Sequence, residues 1–220
     1  MATALRRETI AFARRIVAVL AVAMASCATS GADPGSGGEM PSDDQLIRPL
    51  PVVVVKPTNW VPKFPFPYDK TRHLVTEADI NAERELCQWY TPQYGVLIDQ
   101  IDRLQFNRLQ QNGPGIRTGA ATDSDYSFGS VQQQADIVTG NIDRSMDFIT
   151  PRVQAFTINN DYAGDIYLPL FQAHSFYVLW QNLGNVNNGI KAHQPDWFTG
   201  PSVQLLKRAG SEINRSHVCW

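Results

Sequence analysis

Apolar residues recur every three or four positions through most of the chain after residue 76, a spacing that is typical of amphipathic helices. The clearest stripe consists of Val131, Ala135, Val138, Ile142, Met146 and Ile149. Pro151 should end or kink that helix, because proline lacks the N–H donor that a helix interior needs. The pattern therefore predicts a long helix that buries one face.

Two helices are predicted before this stripe. The Thr76-Glu-Ala-Asp79 sequence is typical of a capping box and should start a helix that ends near Tyr90. Pro92 should begin a second helix, which stops at the Asn-Gly-Pro-Gly sequence of residues 112–115. A long polar loop, residues 112–130, then leads to the third helix.

Two more helices are predicted after the stripe. Residues 166–183 are apolar nearly all round, which predicts a central helix, and the sequence NLGNVNNG, residues 182–189, should break it. Pro201 should begin the last helix, which continues through Ile213. The fold class is therefore mainly α: a single bundle of about five helices over residues 73–220, preceded by a proline-rich extended arm.

The arm, residues 49–72, contains proline too often for a helix. Prolines occupy positions 49, 51, 57, 62, 65 and 67. The segment should be extended, with Val52–Val55 suited to one short edge strand. Its large aromatic side chains are Trp60, Phe64, Phe66 and Tyr68. These rings either fill grooves along the bundle or form a docking segment for a protein partner, as in proline-rich recognition.

The N-terminus has the layout of an export signal. A cationic flank that contains four arginines precedes the uninterrupted apolar run of residues 16–25. Ten helical residues span about 15 Å, which is half of the roughly 30 Å that a bilayer core requires. Residues 1–26 are therefore expected to be a signal peptide rather than a membrane-spanning anchor.

Two cleavage sites fit the end of this run. Ala23-Met24-Ala25 suits an ordinary signal peptidase, which would leave Ser26 as the first residue. Met24-Ala25-Ser26-Cys27 resembles the lipobox of bacterial lipoproteins, with Met in place of the commonest Leu. That resemblance implies a diacylglycerol on the Cys27 sulfur and cleavage before this residue. Ala28 then implies the outer membrane, facing the periplasm, if the cell has two membranes.

The cysteine count favours the lipoprotein. The chain has three cysteines, Cys27, Cys87 and Cys219. Lipidation would use Cys27 and leave a pair in an oxidising compartment, whereas ordinary cleavage would leave an odd thiol. Cys87 and Cys219 are therefore expected to form a disulfide, with two buried free thiols as the alternative. Closing a loop of about 130 residues would add at most roughly 4–5 kcal/mol in the chain-entropy model.

Residues 27–48 should form a flexible tether, because Gly, Ser, Asp and Pro dominate and offer little apolar surface to bury. Removal of residues 1–26 lowers Lys+Arg from 19 to 15 and Asp+Glu from 21 to 20, so the net charge becomes −5. A negative chain without a basic cluster is unsuited to nucleic acid. The expected partners are a membrane, through the lipid, and a protein of the envelope; no cofactor is expected.

No spaced catalytic or metal-binding motif occurs in the chain. The sequence Asp123-Ser-Asp125-Tyr-Ser127 starts like a calcium loop, but the Gly and Glu expected at its sixth and twelfth positions are missing. The polar cluster of residues 159–165 suits a turn better than a cation site. The acidic residues Glu77, Asp79, Glu83 and Glu85 suit the positive end of a helix dipole. No metal site is therefore predicted.

His174 and His193 are the candidate catalytic or metal-binding residues. His174 lies in the apolar predicted helix, where a lone histidine is more often a core residue than a catalyst. His193 precedes Asp196 in a loop, a pair that is common without a function. If either histidine acts, the protein is a small envelope hydrolase or a metal-dependent enzyme.

A carrier of an apolar ligand is the other alternative. Five aromatic residues could line a groove between helices, although a bundle of this size needs such residues in its core. They are Trp89, Tyr90, Tyr94, Tyr177 and Trp180. The sequence as a whole favours a lipid-anchored, non-enzymatic binding or assembly component of the cell envelope.

Overall fold

The apolar stripes fold as helices that bury their apolar faces against one another. The computed structural model describes residues 47–110, 129–160, 166–194 and 196–220, all within the unit Pro41–Trp220. The helices are α1 (Glu77–Trp89), α2 (Gly95–Gln110), α3 (Gly129–Val153), α4 (Ala173–Lys191) and α5 (Asp196–Ser216). The predicted mainly α bundle of about five helices is confirmed.

Shorter elements connect these helices. A 3-10 helix covers Tyr68–Leu74, and strands β1 (Asn159–Asn160) and β2 (Ile166–Tyr167) form one antiparallel pair. Within the bundle, α4 packs against both α3 and α5, while α1 and α2 pack against α3. α3 therefore packs against more of the helices than α4 does, and α4 exposes His174, Gln181 and Asn188, so the prediction that the helix after residue 166 is the central one is wrong.

The α3 stripe is confirmed residue by residue. Its fully buried members are Val131, Ala135, Val138, Ile142 and Ile149. Met146 is half-buried and packs against this core. α3 ends two residues after Pro151, as the missing N–H donor of proline predicts.

The capping box at the start of α1 is also confirmed. The Thr76 hydroxyl accepts from the Asp79 N–H at 3.2 Å, and the Thr76 N–H donates to Asp79 Oδ2 at 2.7 Å. Asp79 is buried, and the Thr157 hydroxyl donates to the same Oδ2 at 2.9 Å. One carboxylate therefore caps α1 and also holds the segment that follows α3.

The predicted break at Pro92 is wrong. Tyr90–Tyr94 form a π-helical turn that joins α1 to α2, and Pro92 lies inside it. The turn stacks the Tyr90 and Tyr94 rings with their centroids 4.6 Å apart. Their hydroxyls donate to the carbonyls of Gly210, at 2.7 Å, and Leu206, at 3.2 Å, in α5. These tertiary contacts compensate for the irregular backbone, which is the usual situation of a π-turn.

The predicted bounds of α4 are wrong at both ends. The helix begins at Ala173, because Ile166–Tyr167 pair with β1, and it continues through NLGNVNNG to Lys191. A Cβ on Gly189 would overlap the Thr199 side chain in α5. Asn187 Nδ2 donates to Asp143 Oδ1 in α3 at 2.7 Å. Gly and Asn are typical of helix breaks, but here Gly189 allows close packing of two helices and Asn187 forms an interhelical hydrogen bond.

The start of α5 also differs from the prediction. α5 begins at Asp196, so Pro201 lies inside the helix and not at its first position. Pro201 is the sixth residue of α5, so it removes the donor of one intrahelical hydrogen bond in the second turn of the helix.

Candidate functional site: the strap and its exposed face

Residues 47–67, which we call the strap, lie extended along the helices. Residues 47–65 form no helix or strand. Ile47 is buried, so packing begins at the last residues of the predicted tether. Leu50, Val53, Trp60 and Phe64 pack against the core of the bundle. The strap is therefore part of the domain and has an inner and an outer face.

Side-chain amides of the helices bind the backbone at the start of the strap. The Arg48 carbonyl accepts from Gln100 Nε2 at 2.8 Å and from Asn141 Nδ2 at 2.9 Å. The Leu50 N–H donates to Asn141 Oδ1 at 2.8 Å. Gln100 and Asn141 are buried and also bond to each other, at 2.6 Å. These two side chains form hydrogen bonds with strap backbone groups that would pair with a neighbouring strand in a β-sheet.

Two further amides continue this arrangement along α1 and the π-turn. Gln93 Nε2 donates to the Pro51 carbonyl. The Lys56 N–H donates to Gln88 Oε1 at 2.8 Å, and Gln88 Nε2 donates to the Lys56 carbonyl at 2.9 Å. This two-point contact imitates one hydrogen-bonded residue pair of an antiparallel sheet. Sequence patterns did not identify these amides, although Gln100 interrupts an otherwise apolar face of α2.

The far end of the strap crosses the C-terminal turn. Trp60 Nε1 donates to the Val218 carbonyl at 2.6 Å, and Lys63 Nζ donates to the His217 carbonyl. The structure places Cys87 and Cys219 as predicted, with their sulfur atoms 2.05 Å apart, at disulfide distance. The disulfide joins α1 to the turn that receives the strap.

The four aromatic residues of the arm, for which groove filling and docking were both considered, differ in exposure. Trp60, Phe64 and Tyr68 are half-buried, and the Tyr68 ring lies edge-on to Phe171 at 5.2 Å. Phe66 is 75% exposed, and Lys70 Nζ lies 5.0 Å from its ring centroid. Phe66 is therefore the member of this set that offers most of its ring to a partner.

The outer face of the strap carries several large apolar side chains. Of the eleven that are exposed among the described residues, five lie on the strap. They are Val52, Val54, Val55, Val61 and Phe66. Exposed apolar side chains that adjoin on a protein surface are typical of interaction sites.

The backbone of the tetravaline segment is also open. Across the part of the chain that the structure describes, no hydrogen bond involves the N–H or C=O groups of Val52–Val55. β-branched residues favour extended pairing, and unpaired backbone groups can accept another strand. The segment therefore combines apolar side chains with free donors and acceptors.

A cavity of about 320 Å³ lies between the strap, α1 and α3. Val53, Trp89 and Phe148 are among its apolar lining residues, and Arg144 and Arg152 add positive charge. The Arg152 guanidinium lies 2.6 Å from Glu85 and 3.6 Å from the Phe148 ring centroid. Arg152 is therefore held against the wall of the cavity by neighbours on two helices.

The candidate histidines lie far from each other. His174 is exposed in the first turn of α4, so the expectation that it is a core residue is wrong. His193 is exposed and follows the end of the same helix. The 19-residue helix separates the two by roughly 28 Å. Asp196 begins α5, and its side chain lies outside the described residues.

Metal-binding groups do not assemble in the described ranges, where no set of three or more His, Cys, Asp and Glu side chains converges. The Asp123–Ser127 sequence lies outside these ranges, as do residues 161–165 of the polar cluster.

The five aromatic residues of the ligand-groove hypothesis are divided between two places. Trp89, Tyr90 and Tyr94 are buried in the core. Burial, with a contribution from Asp102, raises the pKa of Tyr94 to about 12, so its hydroxyl remains a neutral donor. Tyr177 and Trp180 are half-buried on α4, with ring centroids 5.6 Å apart.

One unusual residue was not distinguished by the sequence. Glu83 is fully buried, and neither of its carboxyl oxygens has a hydrogen-bond partner among the described residues. Burial, followed by the nearby charge of Asp79, raises the Glu83 pKa well above its ordinary value. The sequence suggested only a helix-dipole role for it, shared with Glu77, Asp79 and Glu85.

No helix in the described ranges has the length and apolar character needed to cross a membrane. Comparison of the chain with protein-family models, curated proteins and solved structures finds no match. Functional inference therefore depends on the residues of the chain itself.

Proposed function

We propose that this chain is a lipid-anchored, non-enzymatic component of the cell envelope that binds a protein partner through the outer face of the strap. The observation that carries the proposal is the concentration of exposed apolar side chains on that face. The strap also lies directly after the predicted tether, which would present it close to the membrane surface.

The open tetravaline backbone supports strand addition as the mode of binding. In this mode, main-chain hydrogen bonds supply affinity and alternate side chains supply specificity. Val52 and Val54 are 77% and 68% exposed, whereas Val53 between them packs against the core. A partner with an extended segment or an open sheet edge could therefore pair with the strap.

Substitutions at Val54 separate strand addition from simple apolar contact. Val54→Pro keeps an extended backbone but removes the N–H donor, so partner recovery should fall about tenfold. Val54→Thr keeps the donor and the β-branched shape and should retain most binding. Both variants should unfold at the wild-type temperature, because this side chain is exposed. The measurement is quantitative recovery of partners with the full chain from solubilised envelopes; the same recovery with Val54→Pro would contradict this mode.

The lipid anchor has its own test. We expect a palmitate analogue to label the wild-type protein in cells and to leave Cys27→Ser unlabelled. The placement of Cys87 and Cys219 at disulfide distance supports this assignment, because it leaves Cys27 as the third cysteine. Equal labelling of the two proteins would exclude Cys27 as the attachment point.

A further inference from the structure

A second concave surface lies between α4 and α5, away from the residues of the strap. Two adjoining depressions, of about 390 and 560 Å³, share Asn185 and Asn188 in their walls. Trp180 lines one depression and Phe198 lines the other. We call this continuous surface the amide groove.

The amide groove carries no charge. None of the residues that line either depression is Asp, Glu, Lys or Arg. Residues 172–190, which supply most of one wall, contain none of these four residue types. The exposed face of a helix normally carries charged residues. An uncharged groove is suited to an uncharged ligand.

Three amides in the groove have no structural partner. Gln181, Asn185 and Asn188 are exposed, and the described residues form no hydrogen bond with their side chains. Their spacing places them along one side of α4 over about 10 Å. By contrast, Asn182 and Asn187 on the same helix bond to Val178 and Asp143. Asn lowers helix stability, and no hydrogen bond within the described residues offsets that loss at Asn185 and Asn188.

Aromatic rings lie beside these amides. Trp180 Nε1 donates to the Thr150 hydroxyl at 3.0 Å, which fixes the ring next to Tyr177. Phe198 is 57% exposed in the other depression. An aromatic ring offers a flat apolar surface, and a side-chain amide both donates and accepts hydrogen bonds.

We infer that the amide groove binds a neutral carbohydrate chain. A sugar ring has an apolar face of C–H groups that suits an aromatic ring, and hydroxyls that suit amides. A few polar groups placed among apolar ones are typical of ligand sites. The length of the amide row favours an oligosaccharide over a single sugar. This inference does not depend on the function proposed for the strap.

The test measures stability and binding in the same variants. The full chain, kept in a detergent without a sugar headgroup, is titrated calorimetrically with cellohexaose, maltohexaose and hexa-N-acetylchitohexaose. We expect at least one of them to bind, and Asn185→Ala with Asn188→Ala to weaken that binding about tenfold or more. The same double variant should melt at a higher temperature than wild type, because Ala is the better helix former.

Gln204→Ala provides the matched control, since Gln204 is an exposed amide of α5 that lines neither depression. It should bind each sugar as wild type does. The inference is overturned if none of the three oligosaccharides binds. It is equally overturned if the double variant binds as tightly as wild type, or if Gln204→Ala weakens binding to the same extent.

Discussion

Glu83 shows how burial in the assembled bundle controls the protonation of a single carboxyl. In the unfolded chain this group titrates near its ordinary pKa of about 4.3. In the folded domain, burial and Asp79 raise the Glu83 pKa well above that value. The folded state therefore keeps a proton that the unfolded state releases, so the contribution of Glu83 to the free energy of unfolding falls as the pH rises above about 4.

Replacement of Glu83 by Gln should remove this pH dependence. We expect Glu83→Gln to be more stable than wild type at pH 7 and to lose that advantage as the pH falls toward 4, since the unfolded wild-type chain then also binds the proton. Urea unfolding at several pH values measures the difference. Glu77→Gln, at an exposed position of the same helix, should show no such trend. A constant difference between wild type and Glu83→Gln at all pH values would contradict the assignment.

Asp79 and Glu83 differ in how much of their structural role could be predicted from the sequence. The role of Asp79 as the partner of Thr76 follows from local spacing, which is why the capping box was predictable. The hydrogen bond from Thr157 and the burial of Glu83 depend on which helix face meets the rest of the fold. No local sequence pattern shows which face of α1 is buried against the other helices.

At the scale of elements, close approach between helices explains the errors in the predicted bounds. Pro92 and the Gly- and Asn-rich end of α4 are breakers by local rules, yet both lie inside helices. Contacts with α5 stabilise each of them. A Cβ on Gly210 would overlap the Tyr94 phenol, just as one on Gly189 would overlap Thr199. Tertiary packing overrides local propensity at these positions.

The packing of the π-turn on α5 predicts opposite effects for two glycines of one helix. Gly210→Ala should destabilise the domain by about 1–3 kcal/mol, because Tyr94 must move out of its site. Gly200→Ala should be neutral or stabilise by up to about 1 kcal/mol, because no atom lies within 4 Å of the added methyl group. Thermal unfolding of both variants measures the contrast. Equal changes in the two would show that Tyr94 does not pack against Gly210.

At the scale of the whole molecule, the strap contacts parts of the chain that lie far apart in sequence. Its start is held by amides from α2 and α3, and its far end meets the C-terminal turn that Cys219 joins to α1. Residues 68–72 of the arm belong to the 3-10 helix Tyr68–Leu74, so the prediction of an extended segment was wrong there. The extended form of the rest of the arm was predictable, because proline density excludes a helix. Its path and its exposed face were not, since buried amides such as Gln100 and Asn141 determine them.

In the candidate site, too, some features could be predicted from the sequence and others could not. For Trp60, Phe64, Phe66 and Tyr68 the sequence left two roles open, filling grooves along the bundle or docking a partner, and three of these rings are half-buried against the domain. Val52–Val55, which the sequence suggested only as an edge strand, supply three of the five exposed large apolar side chains of the strap. A run of apolar residues does not reveal which of its members face outward when the backbone lies on a helical surface.

Photo-crosslinking in living cells directly tests whether the strap is the docking site for a protein partner. A photoreactive residue in place of Val54, on the outer face of the strap, should yield one discrete crosslinked product with an envelope protein. The same residue in place of Val96, an exposed apolar position on α2, should not yield it. The product should disappear when Val52→Asp is added, because a charge would then lie on the apolar outer face. No product at Val54, or the same products from both positions, would contradict the claim that the strap is the docking site.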